Sequence, residues 1–253
     1  MKVSATIQAR TSSSRLPGKV LKKILGKPML ELQIERIRQS NLIDEIIIAT
    51  TDSPKDDPIE SLANDLGVLC YRGSEDDVLG RIVNTLKAYN VEIHAEFTGD
   101  HPLEDPLIID SIIGFYLKNK DKYDYVANYL KTTFPAGIGF AVYPAETLYD
   151  AEKHVAKDDK LREHVGIHIY LHPERYRLHN IEAPPHFNYP DLYLEVDTKE
   201  DFEVTTAIYE NLYPKNSCFS LSQILDFMSE NKNLAEKNRH VERRWKKFRK
   251  EDE

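Results

Sequence analysis

Ten residues, Arg10-Thr-Ser-Ser-Ser-Arg15-Leu-Pro-Gly18-Lys19, gather three cations, four hydroxyls and one glycine. A polyphosphate needs spread positive charge and many donors, and arginine meets phosphate oxygens with planar, bidentate geometry. Gly18 lets backbone N–H groups approach a ligand closely. No G-x-x-x-x-G-K-[ST] occurs in the chain, so this is not a Walker loop. By residue type alone the stretch is either a phosphate site or a solvated loop. Asp100 and Asp197 are hard oxygen donors of the kind Mg²⁺ takes, one or two carboxylates completed by phosphates and water. The competing reading makes Asp100 a cap for the turn before Pro102 and Asp197 a cap for a helix starting near Lys199. His164, His168 and His172 recur at i, i+4 and i+8 on an expected helix. Two such imidazoles can hold zinc, but no H-E-x-x-H is present, and a packed or solvated helix face is the expectation. Tyr123, Tyr125 and Tyr129 read as sheet packing rather than as a stacking platform.

The elements that must position these groups alternate from the first residues. A strand is expected over 3–9, then a helix after Pro28 with Leu30, Ile34 and Ile37 at helical spacing. EIIIAT at 45–50 is apolar without alternation, as in a parallel strand covered on both faces. Helices at 57–66, 76–89 and 106–118 then alternate with strands at 68–71 and 93–98. This order predicts an α/β, doubly wound, three-layer sandwich. From about residue 123 the rhythm changes. YDYVAN and GFAVY read as strands, 144–155 and 159–171 as helices, and 175–182 as a strand. A loop around Pro184, Pro185 and Pro190 precedes a strand at 192–197 and helices at 199–212 and 220–230. We expect one domain over 1–230 with an inserted α+β lobe at about 128–190, then a charged tail or helix over 231–253. Ligands of an open parallel sheet sit beyond the carboxyl ends of its strands. Those ends carry the 10–19 loop, Thr50 to Asp52, Arg72 to Ser74, Gly99 to Pro102, and Glu195 with Asp197.

Of the 253 residues 41% are hydrophobic, enough for a substantial core, and no apolar run approaches the roughly 20 residues of a membrane helix. The net charge of −8 argues against a surface given over to nucleic acid. Cys70 and Cys218 cannot build a disulfide framework, and the first residues show no signal-peptide pattern, so a cytoplasmic setting is expected. Arg243, Arg244, Lys246, Lys247, Arg249 and Lys250 surround Trp245 and Phe248. That cluster is either a contact for an anionic partner or membrane surface, or a solvated or frayed C-terminal helix, and the second is the expectation.

The segment IQARTSSSRLPGKVLKKILGKPMLE resembles the N-terminal signature of sugar-activating cytidylyltransferases. It is most similar to the spore-coat polysaccharide (SpsF-like) branch, related to the CMP-Kdo and CMP-sialic acid synthetases. IIIATTDSPKDDPIESLANDLGV, RGSEDDVLGR, TGDHPL with DPLIID, LREHVGIHIY and LEVDTKEDFE follow in order, over about residues 3–210. The resemblance implies a Rossmann-like, GT-A-like nucleotidyltransferase sandwich with a mostly parallel sheet. It implies transfer of CMP from CTP to a sugar, acidic sugar or sugar-like acceptor, with pyrophosphate released, in surface polysaccharide or glycoconjugate synthesis. By the same likeness Gln8, Ala9, Arg10, Ser14, Lys19, Arg72, Ser74 and Thr98 bind nucleotide. Arg81 lies near it, and Arg10, Arg15 and Lys19 steady the leaving pyrophosphate. Asp100 and Asp197 hold Mg²⁺, Arg162, Glu163 and His164 lie near the acceptor, and a homodimer forms through the inserted region. One departure stands out. Related chains often carry an acid in the strand after the Y/F-P-x-G turn, whereas Phe134 to Tyr143 has Gly139 and Ala141 and no acid at all. The alternatives are a nucleotide-sugar glycosyltransferase, which would usually show a D-x-D motif absent here, and a non-catalytic nucleotide-binding module.

Overall fold

The computed structural model describes residues 1–248, with side chains described to Lys246. The chain opens with β1 (Val3–Gln8), a small hairpin of β2 (Lys23–Ile24) and β3 (Lys27–Pro28), and α1 (Met29–Ile37). Then come β4 (Glu45–Thr51), α2 (Asp57–Leu66), β5 (Leu69–Gly73), α3 (Val78–Ala88), β6 (Ile93–Thr98) and α4 (Pro106–Asn119). The remainder holds β7 (Tyr125–Ala127), β8 (Ala141–Pro144), α5 (Ala145–Lys153), α6 (Ile167–Tyr170) and β9 (Leu178–Asn180). Helices α7 (Lys199–Leu212), α8 (Leu221–Glu230) and α9 (Lys232–Glu236) follow.

The helices begin where side chains satisfy orphan backbone donors. Asp77 accepts from Gly80 N at 2.8 Å at the head of α3, Asp105 caps α4 just before Pro106, and Thr198 with Asp201 forms a capping box on α7. Each such cap stabilises its helix by about 1 kcal/mol. The seven-stranded sheet has the order β5-β4-β1-β6-β8-β7-β9, and only β8 runs against the others. One face packs Ala5, Ile7 and Phe97 against α1, α4, α7 and α8. The other packs Ile47, Ala49 and Tyr143 against α3 and α5. This is the expected three-layer sandwich. The chain leaves β1 for β4 on one side and later returns to β6 on the other, so a crevice opens beyond the carboxyl ends of β1 and β6.

Residues 128–190 add β8 and β9 to the main sheet, and α5 joins the layer of α3. Three local expectations change. The helix expected at 159–171 is broken. Lys160–Glu163 is a 3-10 turn capped by Asp159, His164 is extended (φ −121°, ψ 135°), and α6 has only four residues. The three histidines therefore do not share one helix face. The strand expected at 192–197 is an extended segment with a single parallel bridge, Ala136 to Tyr193. Its backbone is held by two loops, with Leu194 N donating to Ala136 O at 2.6 Å and Val196 N to Asp100 O at 2.8 Å. Lastly, the tail is not a solvated helix as far as Lys246: Arg243 is 3% exposed and pairs with Asp201 at 2.8 Å. Arg249 and Lys250 lie outside the described residues.

Candidate active site

A cavity of about 610 Å³ fills the crevice beyond β1 and β6. Gln8, Ala9, Arg10, Ser14, Arg15, Lys19, Thr98 and Asp100 line one side of it. The basic loop is folded against its neighbours, although Ser12, Ser14 and Pro17 stay exposed. Gly18 takes a left-handed conformation (φ 67°) that favours glycine, and its N–H closes the loop onto Thr11 O at 2.8 Å. Thr11 donates from its backbone N (2.8 Å) and hydroxyl (2.6 Å) to Asp56 Oδ1. Thr50 and Thr51 at the end of β4 donate to Asp56 Oδ2. Burial opposes the charge on Asp56, but these donors outweigh it and hold its carboxyl below the usual range.

Asp100 and Asp197 meet through Lys19. Its Nζ donates to Asp100 Oδ2 (3.2 Å), Asp197 Oδ1 (3.1 Å) and Val196 O (2.6 Å), which engages all three ammonium protons. Arg15 adds a second cation, 2.5 Å from Asp197 Oδ2. Asp197 does not cap α7, a role taken by Thr198. Gly137 lets the 192–197 segment pass close by, since a Cβ there would collide with the backbone of Leu194 and Glu195. Asp100 Oδ1 is covered and accepts no hydrogen bond. Burial alone would push Lys19 down and Asp100 up. Their attraction reverses both directions, so Lys19 titrates above its ordinary value and Asp100 well below. Two carboxylates sharing one cation, one with an unmet buried oxygen, form a hard-oxygen donor set that suits a small divalent cation. Among the described residues, no group of three or more His, Cys, Asp or Glu side chains is arranged to hold a metal.

Beside this pair lies a network that residue patterns did not reveal. His101 Nδ1 stands 3.5 Å from Glu104 Oε1, and its Nε2 stands 3.8 Å from Asp100 Oδ1 and 4.0 Å from Glu195 Oε2. Burial disfavours its charge, yet the three acids prevail and raise the imidazole to about 9. It is therefore an imidazolium at neutral pH, a fixed cation behind the aspartates.

Arg81, 3% exposed, also lines the cavity, and burial together with the nearby Arg10 lowers its guanidinium to about 10. Two guanidiniums opposed in this way welcome an anion. Arg72 and Ser74 are not brought to the cavity. Arg72 instead clamps the β4–α2 turn through Thr51 O (3.0 Å), Ser53 O (2.8 Å), Asp57 (2.7 Å) and Glu60 (2.8 Å). On the opposite wall Glu163 and His164 face the cavity, with Asn128, Tyr129 and Tyr170. Arg162 does not. It is 2% exposed and holds Asp77 with two bonds of 2.9 Å. Glu96 also lines the cavity, bonded by Tyr143 OH at 2.5 Å and Gln8 Nε2 at 3.3 Å, and burial lifts it to about 7. It pairs across the sheet with Ala141, in the strand that lacks an acid. An acidic residue inside the buried strand IHAEFT was the signal for it.

The family model described as Cytidylyltransferase matches residues 5–247. The chain is 35% identical to the spore coat polysaccharide biosynthesis protein SpsF of Bacillus subtilis, over 90% of this chain and 95% of that one. It is 32% identical to a 3-deoxy-manno-octulosonate cytidylyltransferase of Ruthia magnifica, over 67% of this chain and 75% of the other. Its fold superposes on a cytidylyltransferase from Leptospira borgpetersenii with a TM-score of 0.87 at 27% identity, covering 96% of this chain and 100% of that one.

Proposed function

Because the chain belongs to the cytidylyltransferase family, we propose that it transfers CMP from CTP to a hydroxyl of a sugar-like acceptor and releases pyrophosphate. The observation that carries this reading is the Asp100–Lys19–Asp197 cluster, set directly against a preformed basic loop in one cavity. Arg10 and Arg81 bind phosphate oxygens, and Arg15 steadies charge growing on the departing pyrophosphate. An acceptor oxygen attacks the α-phosphorus in line, the bond to the β-phosphate oxygen breaks, and the acceptor proton is lost to solvent or a nearby base. Asp100 and Asp197 are the residues that would hold Mg²⁺, which when bound neutralises phosphate charge and lowers the pKa of the acceptor hydroxyl. Lys19, saturated by the aspartates and Val196 O, keeps their carboxylates ionised and aimed at that position.

Glu96, Tyr129, Glu163 and His164 supply the acceptor wall with alternating donors and acceptors, which suits a polyhydroxylated molecule. Polysaccharide synthesis is the proposed setting, in line with the name of the Bacillus relative. A glycosyltransferase would need a nucleotide-sugar donor, and a binding module would release nothing. Pyrophosphate release from each of the four nucleoside triphosphates, with acidic sugars, sugar phosphates and hydroxy acids as acceptors, separates the three. CTP-dependent release is expected; turnover of a nucleotide sugar instead, or no release with any pair, would overturn the proposal.

A further inference from the structure

The basic-aromatic tail has no part in the chemistry above, yet it reaches the cavity. Beyond α9, Asn238 Nδ2 donates to Tyr193 O (3.0 Å) and Asp201 Oδ1 (2.8 Å). Arg243 then enters the same pocket, bonding both Asp201 oxygens at 3.0 and 2.8 Å and lying 4.4 Å over the Tyr193 ring. These contacts anchor the tail to the N-terminus of α7, next to Asp197. From that anchor, Trp245 Nε1 donates to Glu195 Oε1 and Oε2 at 2.9 and 3.1 Å. Arg244 Nη1 reaches Ser14 Oγ at 3.4 Å, and Arg15 Nη1 returns a bond of 2.7 Å to Glu242 O. Arg244 and Trp245 both line the cavity.

We infer that this segment is part of the active site: Arg244 is a further ligand of the nucleotide's polyphosphate, and Trp245 positions Glu195. The inference rests on reading the cavity as a CTP site. Two of the three cations of the basic loop already bond protein groups, Lys19 the aspartates and Arg15 Asp197 and Glu242 O, so a polyphosphate gains from a further cation beside them. Arg244 touches the loop only through a long bond to a neutral hydroxyl, which a phosphate oxygen replaces with a stronger, charge-assisted one. Its backbone position is fixed by the buried Arg243–Asp201 pair on the preceding residue, so little ordering is left for the ligand to impose.

Trp245 is the chain's single tryptophan, so its emission reports on this wall alone. CTP with Mg²⁺ is titrated into the full-length protein, with binding followed by calorimetry and by Trp245 fluorescence. The emission is expected to change with the same midpoint as the heat. Arg244→Met should weaken CTP binding about 10-fold, Arg244→Lys should recover part of it, and the melting temperature and acceptor KM should stay at wild-type values. Calorimetric CTP binding without any change in emission, or Arg244→Met binding CTP as tightly as wild type, overturns the inference while leaving the CTP reading intact. Absence of calorimetric CTP binding to the wild type removes that reading and the inference together.

Discussion

Asp100 and Asp197 come from two adjacent backbone segments and share one ammonium, which gives their substitution a distinctive signature. Asp100→Asn and Asp197→Asn should each lower kcat on the order of 100-fold or more while changing the Kd for CTP only a few-fold. Equal losses in both quantities would count against their role in the reacting state. Glu96 makes a second prediction. Its carboxyl titrates near 7 in the folded protein against an ordinary 4.5, so below about pH 4.5 it is protonated in both states and imposes no penalty. As pH rises through 7 it ionises in the folded state too, and the full burial cost is then felt. Wild-type stability should therefore fall relative to Glu96→Gln between pH 5 and 8, by up to about 3 kcal/mol. Parallel urea-denaturation profiles for the two proteins across that range would show that Glu96 is not held in this way. The same proton should make acceptor KM more pH-dependent in the wild type than in the variant.

The Arg162–Asp77 clamp ties the 3-10 turn before His164 to the head of α3, so the acceptor wall depends on two elements far apart in sequence. Arg162→Met should cost on the order of 2 kcal/mol, since it strands part of a buried ion pair, and should raise acceptor KM more than CTP KM. Chemical denaturation and steady-state kinetics test both halves, and a selective effect on CTP would contradict this placement. The clamp also marks where reading residues in order stops being enough. Apart from the small β2–β3 hairpin, the strands and helices up to residue 119 follow from their apolar runs and periodicity. The broken helix at 159–171 escapes that logic, since its apolar spacing continues through a turn set by the Asp159 cap and the extended His164. Leu192 to Asp197 has strand composition but finds its partners in two loops rather than in a neighbouring strand. Arg72 and Arg162 sit in the right motifs, yet cation spacing cannot distinguish a phosphate ligand from a clamp on carbonyls and carboxylates. The first strand-end loop and Asp100 were legible because the carboxyl edge of a parallel sheet collects them, whereas Asp197 reaches the same cavity on a segment held by two loops.

At the scale of the whole molecule, the sheet's switch point sets the cavity, the 192–197 segment carries Asp197 back to it, and the tail closes its flank. No helix among the described residues is long and apolar enough to cross a membrane. Exposed Leu171 and Tyr189 lie within or beside the region we propose as a homodimer contact. A dimer by light scattering at micromolar concentration is expected, and a monomer there would end that proposal. In the function we propose, this cavity cleaves CTP between its α- and β-phosphates for an acceptor hydroxyl. Pyrophosphate release measured with CTP, Mg²⁺ and a panel of sugar-like acceptors tests it most directly. Acceptor-dependent release from CTP is expected, and it should disappear in Asp197→Asn while calorimetry still records CTP binding. Release that persists undiminished in that variant, or CTP that binds and is never cleaved with any acceptor, would contradict it.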